Sequence, residues 1–189
     1  GDVNIFGANL MEAIRIIRQF LPEKDNRALD NIIQALGQLR IQQKRINEWK
    51  RVHNMLHDLE LALSILELVP NGPEPNIVLA SKTWRISVRP RIQDLSYFAA
   101  NEMGLLPFPR LELMEGGIKG PPWITHLIVD SSVFESSLKE NDWASVGELC
   151  SSMLDKCRES LFFIDRQLLD SIGILDKYSD QILKVINNE

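Results

Sequence analysis

His53 and His57 stand four residues apart, with Glu60 three further on, a spacing that on a helix projects all three within about 60° of one another. Two imidazoles and a carboxylate match a zinc ligand set in composition. A metalloprotease helix, however, places its general base directly after the first histidine, and Asn54 stands there. The trio is therefore expected to be a polar flank beside Val52, Leu56 and Leu59, with no metal and no cofactor. The two cysteines, Cys150 and Cys157, lie seven apart in one helical stretch. Their separation of about 10 Å along the axis is too great to bridge without breaking the helix. On an apolar stripe such thiols are inert, and unpaired thiols suit a reducing, cytoplasmic compartment. Nucleophilic catalysis needs a Ser or Cys on a sharp turn, a base and an orienting acid. No Gly-x-Ser-x-Gly occurs, and Gly116-Gly117-Ile118-Lys119-Gly120 has neither the spacing of a phosphate loop nor the Ser or Thr that follows one. No catalytic residue is assigned, and the chain is expected to be non-enzymatic.

Basic residues cluster twice: Arg40, Lys44, Arg45, Lys50 and Arg51, opposed only by Glu48, and Lys82, Arg85, Arg89 and Arg91. Clustered cations on a helix can neutralise phosphates. The formal net charge of −5 argues against such binding by the whole surface. Residues 1–129 carry 15 Lys and Arg against 14 Asp and Glu, whereas residues 130–189 carry 6 against 12. Opposite charge is thus available within the chain, and the Arg40 to Arg51 face is expected to lie against Glu148, Asp155, Glu159, Asp165, Asp170 and Asp176. Nucleic acid is accordingly not expected as a partner.

These groups must be positioned by helices. The chain has 189 residues, 44% hydrophobic and 25% charged, with 10 Gly and 9 Pro that cluster, as in an ordinary globular domain. No stretch approaches the roughly 20 apolar residues of a membrane span. One domain over 1–189 is expected, and the opening Gly1-Asp2-Val3 reads as a fragment of a larger protein. Leu10, Ile14, Ile17 and Phe20 mark a helix over 4–21, ended by Pro22. A long helix over 25–69, capped by Asp25 or Asn26, carries Leu29, Ile32, Leu36, Leu39 and Ile46 with Gln43 filling one seam position. The stripe resumes one residue early at Trp49, Val52, Leu56, Leu59, Leu63 and Leu66, a three-residue stammer.

Three Pro and a Gly over 70–76 make a firm turn. A helix over 77–103 places Ile77, Ser81, Trp84, Val88, Ile92, Leu95, Ala99 and Glu102 on one stripe, with Pro90 disturbing its middle. Residues 104–122 are irregular, a loop with room for a short β-hairpin. Pro122 starts a helix to Lys139 that buries Ile124, Leu127, Ile128, Phe134 and Leu138; the alternative is a strand over Trp123 to Val129 hairpinned to Arg110 to Met114. Asn141 or Asp142 caps a last helix to about Asn187. Its stripe, Trp143, Val146, Cys150, Met153 and Cys157, continues after a stutter at Leu161, Ile164, Leu168, Leu175, Tyr178, Ile182 and Val185. The expected fold class is all-α: an elongated antiparallel helical bundle with two helices of about 45 residues and two or three shorter ones.

Shape then suggests function. Long helices offer extended side surface, which favours helix-to-helix or helix-in-groove recognition. The leading expectation is a helical protein-interaction or scaffolding domain, an adaptor or regulatory part of a signalling assembly. Its partner is another protein or another domain of the same chain, with self-association through an unused seam as one version. Leu105, Leu106, Phe108, Leu111, Leu113, Met114 and Ile118 make the irregular segment too apolar for a mere linker and are the candidate interaction residues. The alternative is a small-molecule-sensing bundle with a ligand near Trp84, Trp123 or Trp143. Nucleic-acid binding through the Arg40 to Arg51 face ranks third.

Overall fold

The computed structural model describes residues 26–187 together with Glu12, Arg15, Ile16 and Gln19. The face Leu10, Ile14, Ile17 and Phe20 expected on a first helix lies outside the described residues, as does Asp25. In chain order the elements are α1 (Asn26–Glu67), α2 (Ile77–Thr83), a π-helical turn (Trp84–Val88), α3 (Arg89–Tyr97), a second π turn (Phe98–Glu102), strands β1 (Glu112–Met114) and β2 (Gly117–Lys119), α4 (Pro122–Lys139) and α5 (Trp143–Ile186). The fold is all-α, a helical bundle with one small hairpin. The long helices α1 and α5 have 42 and 44 residues.

The chain divides into two compact units, Gly1–Trp49 with Arg166–Glu189, and Lys50–Asp165. In the first, Ile32, Leu36 and Leu39 of α1 form a small core on which half-buried Leu175, Tyr178, Ile182 and Val185 of α5 pack. Gln42 is buried in this unit whereas Gln43 is half-buried, so the polar seam position falls one residue earlier than the spacing suggests.

The second unit holds the larger core. Val52, Leu56, Leu59, Leu63 and Leu66 of α1 and Val146, Cys150, Met153 and Cys157 of α5 are fully or nearly fully buried, as the three-four spacing requires. Trp84, Val88, Ile92, Leu95 and Ala99 complete it from the helical run 77–102, and Ile124, Leu127 and Phe134 from α4. At roughly 1.5–3 kcal/mol for each large apolar side chain removed from water, these stripes dominate the stability of the unit.

Local chemistry sets the boundaries. Asn76 caps α2 by accepting from the Leu79 N–H at 3.1 Å. Pro90 has no N–H to donate and its ring crowds the carbonyl four residues back. The helix responds with the Trp84–Val88 π turn, in which the Arg89 N–H reaches the Trp84 carbonyl, and continues into α3. The second π turn ends the run, the Met103 N–H bonding to the Phe98 carbonyl at 2.9 Å. The irregular segment is then pinned back onto the helix it leaves: Arg110 Nε donates to the Met103 carbonyl at 3.1 Å and the Leu111 N–H to the Ala99 carbonyl at 3.0 Å.

The hairpin pairs Leu113 with Ile118 and Met114 with Gly117. Gly117 has φ of 139°, a conformation that side chains with a Cβ rarely adopt. Trp123 to Val129 is helical, within α4. The strand alternative for that segment is therefore corrected: the partner of β1 is Gly117–Lys119, and Pro122, with φ preset for a first helical turn, commits the following residues to helix. Asn141 takes the left-handed turn after α4 with φ of 54°. Asp142 caps α5, accepting from the Ser145 N–H at 3.2 Å and from its hydroxyl at 2.6 Å. These bonds hold its carboxyl below the usual carboxylate range.

Candidate functional site

The helical run 77–102 and α4 pack along each other within the second unit, and their seam stays open as a groove. It consists of two adjoining hollows of about 320 and 330 Å³ that share Trp84, Arg89 and Glu135 on their walls. Trp84 forms the floor. Its ring is 2% exposed and lies 4.4 Å from the Phe134 ring, and its Nε1–H donates to Glu135 Oε1 at 3.0 Å. The same carboxylate oxygen lies 3.4 Å from Arg89 Nη1.

One end of the groove is charged, with Arg85 on the π turn and Lys139 in the last turn of α4. The other end is apolar, lined by Ile92, Ile128, Leu111 and Leu113. Serines complete that end, and the hydroxyls of Ser96, Ser131 and Ser132 already donate to carbonyls one turn back on their own helices. The serines therefore ask nothing polar of an occupant, and Gln93 is the one amide on these walls. Leu113, in β1, is 81% exposed at the rim.

The opposite side of α4 carries a second concavity, a cleft of about 290 Å³ formed with α5 and the irregular segment. Phe108 lies edge-on to Trp123 with centroids 6.1 Å apart, and Phe163 tilts toward Phe108 at 6.4 Å. Leu127 and Pro122 add apolar wall; His126, Lys156, Glu159 and Ser160 add polar lining. Lys156 is held by Asp130 at 2.8 Å. The Trp123 indole Nε1 is buried with no hydrogen-bond partner among the described residues.

The candidate interaction residues thus separate. Leu111 and Leu113 belong to the Trp84 groove and Phe108 to the Trp123 cleft, while Met114 is exposed. Leu105 and Ile118 are half-buried. Leu106, at 6% exposure, is buried in the core. Trp143 is half-buried beside the Pro70–Asn71 turn.

Of the five basic residues of α1, Arg40, Lys44 and Arg45 belong to the first unit and Lys50 and Arg51 to the second. Arg51 pairs with Glu102 of the second π turn, not with the last helix, and lies over the Phe98 ring at 5.0 Å. In the last helix, Asp165 faces His53 at 3.0 Å. His53 and His57 stack with centroids 6.3 Å apart, while Glu60 turns to Arg158 at 3.3 Å. Among the described residues no group of His, Cys, Asp and Glu is placed to hold a metal ion.

Burial, reinforced by Glu67, pushes the Cys150 thiol up to about 12. Burial likewise pushes the Cys157 thiol up to about 12, with Glu60 adding and Arg158 opposing. Cys157 Sγ donates to the Leu56 carbonyl at 3.2 Å. Both are core thiols, unsuited to nucleophilic work. No helix among the described residues is long and apolar enough to cross a membrane.

Comparison of the chain with family models, with curated proteins and with solved structures finds no match.

Proposed function

We propose that this chain is a helical interaction module that receives a segment of another protein, or of another domain of its own chain, in the Trp84 groove. The observation that carries the reading is the uncovered apolar end of that groove, where Leu113 stands in solvent beside Leu111, Ile92 and Ile128. Apolar surface left in water next to a concavity favours docking. Two helices of a packed unit and the hairpin segment pinned to them form the walls, so the groove needs little reorganisation to receive its partner. A displayed library of random peptides, about sixteen residues long to match the groove, tests this when panned on the full chain. Selected peptides should lose binding to Leu113→Asp and keep it with Leu61→Asp, a substitution on the exposed face of α1. Peptides indifferent to Leu113→Asp would overturn the assignment.

A second reading, a small-molecule site, is favoured by one observation at the Trp123 cleft: an indole N–H buried without an acceptor on a wall shared with two phenylalanines. A leftover buried donor costs about 1–3 kcal/mol, and because this N–H is closed off from solvent a ligand's acceptor meets it only as the cleft wall shifts. A screen of compact heteroaromatic compounds should then raise the melting temperature of the native chain and not of Trp123→Phe. Equal shifts in both would remove the cleft from consideration.

A further inference from the structure

We infer that the partner of the Trp84 groove is an acidic amphipathic helix, its carboxylates gathered at one end and its apolar residues at the other. The inference rests on the docking reading above and adds the chemistry of the partner. At the end nearer Ser81 the walls hold Arg85, Arg89 and Lys139 against a single carboxylate, Glu135. Lys82, exposed one turn before Arg85, extends this rim. Only Arg89 has its charge met, by Glu135; Lys82, Arg85 and Lys139 have no carboxylate within ion-pair distance among the described residues. The chain as a whole is acidic, at −5, so a local excess of unpaired cations on a groove wall is not a reflection of composition.

Beyond Arg89 and Glu135, which the two hollows share, the other end carries no charged side chain on its walls, and Gln93 adds one amide. Ile92, Ile128, Leu111 and Leu113 surround hydroxyls whose donors are already used within their own helices. A basic partner would meet repulsion at Arg85 and Lys139, and a wholly apolar one would leave those cations facing uncompensated surface. From Ser81 to Ser96 the wall is about 22 Å long at 1.5 Å per residue, the length of a helix of about fifteen residues. Such a helix would set its carboxylates between Arg85 and Lys139 and its apolar side chains, spaced three and four apart, over Ile92 and Leu113.

The peptides selected on the full chain provide the test. The enriched sequences should carry Asp or Glu clustered at one end and apolar residues at helical spacing. By fluorescence anisotropy they should bind the double variant Arg85→Glu, Lys139→Glu about tenfold or more weakly, because each reversal replaces a rim attraction with a repulsion. Raising salt from about 50 to 300 mM should weaken them severalfold. Both substituted residues are exposed, and an unchanged urea midpoint with the circular dichroism of the parent chain checks that the variant folds. Selected peptides that are neutral or basic, or that bind the double variant as well as the parent, overturn the acidic partner. If those same peptides are lost with Leu113→Asp, the groove stands and only the partner's charge is wrong. Peptides indifferent to Leu113→Asp as well overturn both.

Discussion

Glu135 offers a perturbation whose magnitude follows from the geometry. It does two things at once, accepting the Trp84 indole N–H at 3.0 Å and facing Arg89 at 3.4 Å. The ion pair is 42% and 41% exposed on its two sides, which limits its worth to about 1 kcal/mol or less. The indole belongs to a residue 2% exposed, so its N–H has little water to turn to. Glu135→Gln removes the charge and keeps an acceptor, and should cost about 0.5 kcal/mol. Glu135→Leu removes the acceptor and should cost about 1–3 kcal/mol. In a Trp84→Phe background the same leucine strands no donor, so the double-mutant cycle should show a coupling of about 1–2 kcal/mol. Urea unfolding followed by circular dichroism reads these differences as midpoint shifts at constant slope. Gln and Leu variants agreeing within about 0.3 kcal/mol, or an additive cycle, would refute the hydrogen bond as the element that orders the groove floor. Glu135→Gln also deletes the one carboxylate on the charged walls, so acidic peptides should bind it about two- to fivefold more tightly.

Two further outcomes are expected. Phe134 is fully buried against Trp84, so Phe134→Ala should lower stability by about 3–5 kcal/mol in urea unfolding, and a loss below about 1.5 kcal/mol would contradict the packing described. The thiols give a pH dependence of defined sign. Cys150 and Cys157 are pushed up to about 12 in the fold, so the folded chain keeps protons that the unfolded chain releases above about 9. Their contribution is complete below about pH 9 and declines toward pH 12, by up to about 1.4 kcal/mol per thiol per pH unit. The Cys150→Ala, Cys157→Ala variant should lose stability less steeply over that interval; an equal slope would show that the thiols titrate alike in both states.

How far the structure is legible in the sequence depends on how local each cause is. The stripes Val52 to Leu66 and Val146 to Cys157 follow from spacing within one helix, and both are buried as that spacing implies. The cap at Asp142 and the Pro122 start of α4 are equally local. The π turn before Pro90 is not: a proline announces a disturbance, and the packing around Trp84 and Val88 determines that it becomes an inserted residue and not a break. A hairpin within 104–122 is legible as a possibility, but its register, Leu113 on Ile118, depends on Gly117 at φ of 139°, and the β-branched content of Trp123 to Val129 offers a competing strand that the Pro122 start removes.

Of the groove, Trp84, Arg85 and Arg89 stand out by type, and Leu111 and Leu113 by their place in an apolar irregular segment. Glu135 and Lys139 carry no signal of their own. They acquire meaning only when α4 is laid beside the helical run, bringing Glu135 to residues 46 and 51 positions earlier. The same holds for Arg51, whose partner is Glu102 and not the acidic last helix.

Mapping tests the proposed docking of a partner in the seam between the helical run 77–102 and α4. Amide shifts of the isotope-labelled chain, followed while a selected peptide is added, should change along Ser81–Ser96, the hairpin and Ile128–Lys139. They should remain still around Phe163 and on the exposed face at Leu61 and Ile65 of α1. Changes centred on Phe163 and Trp123, or on that α1 face, with the groove unmoved, would contradict it.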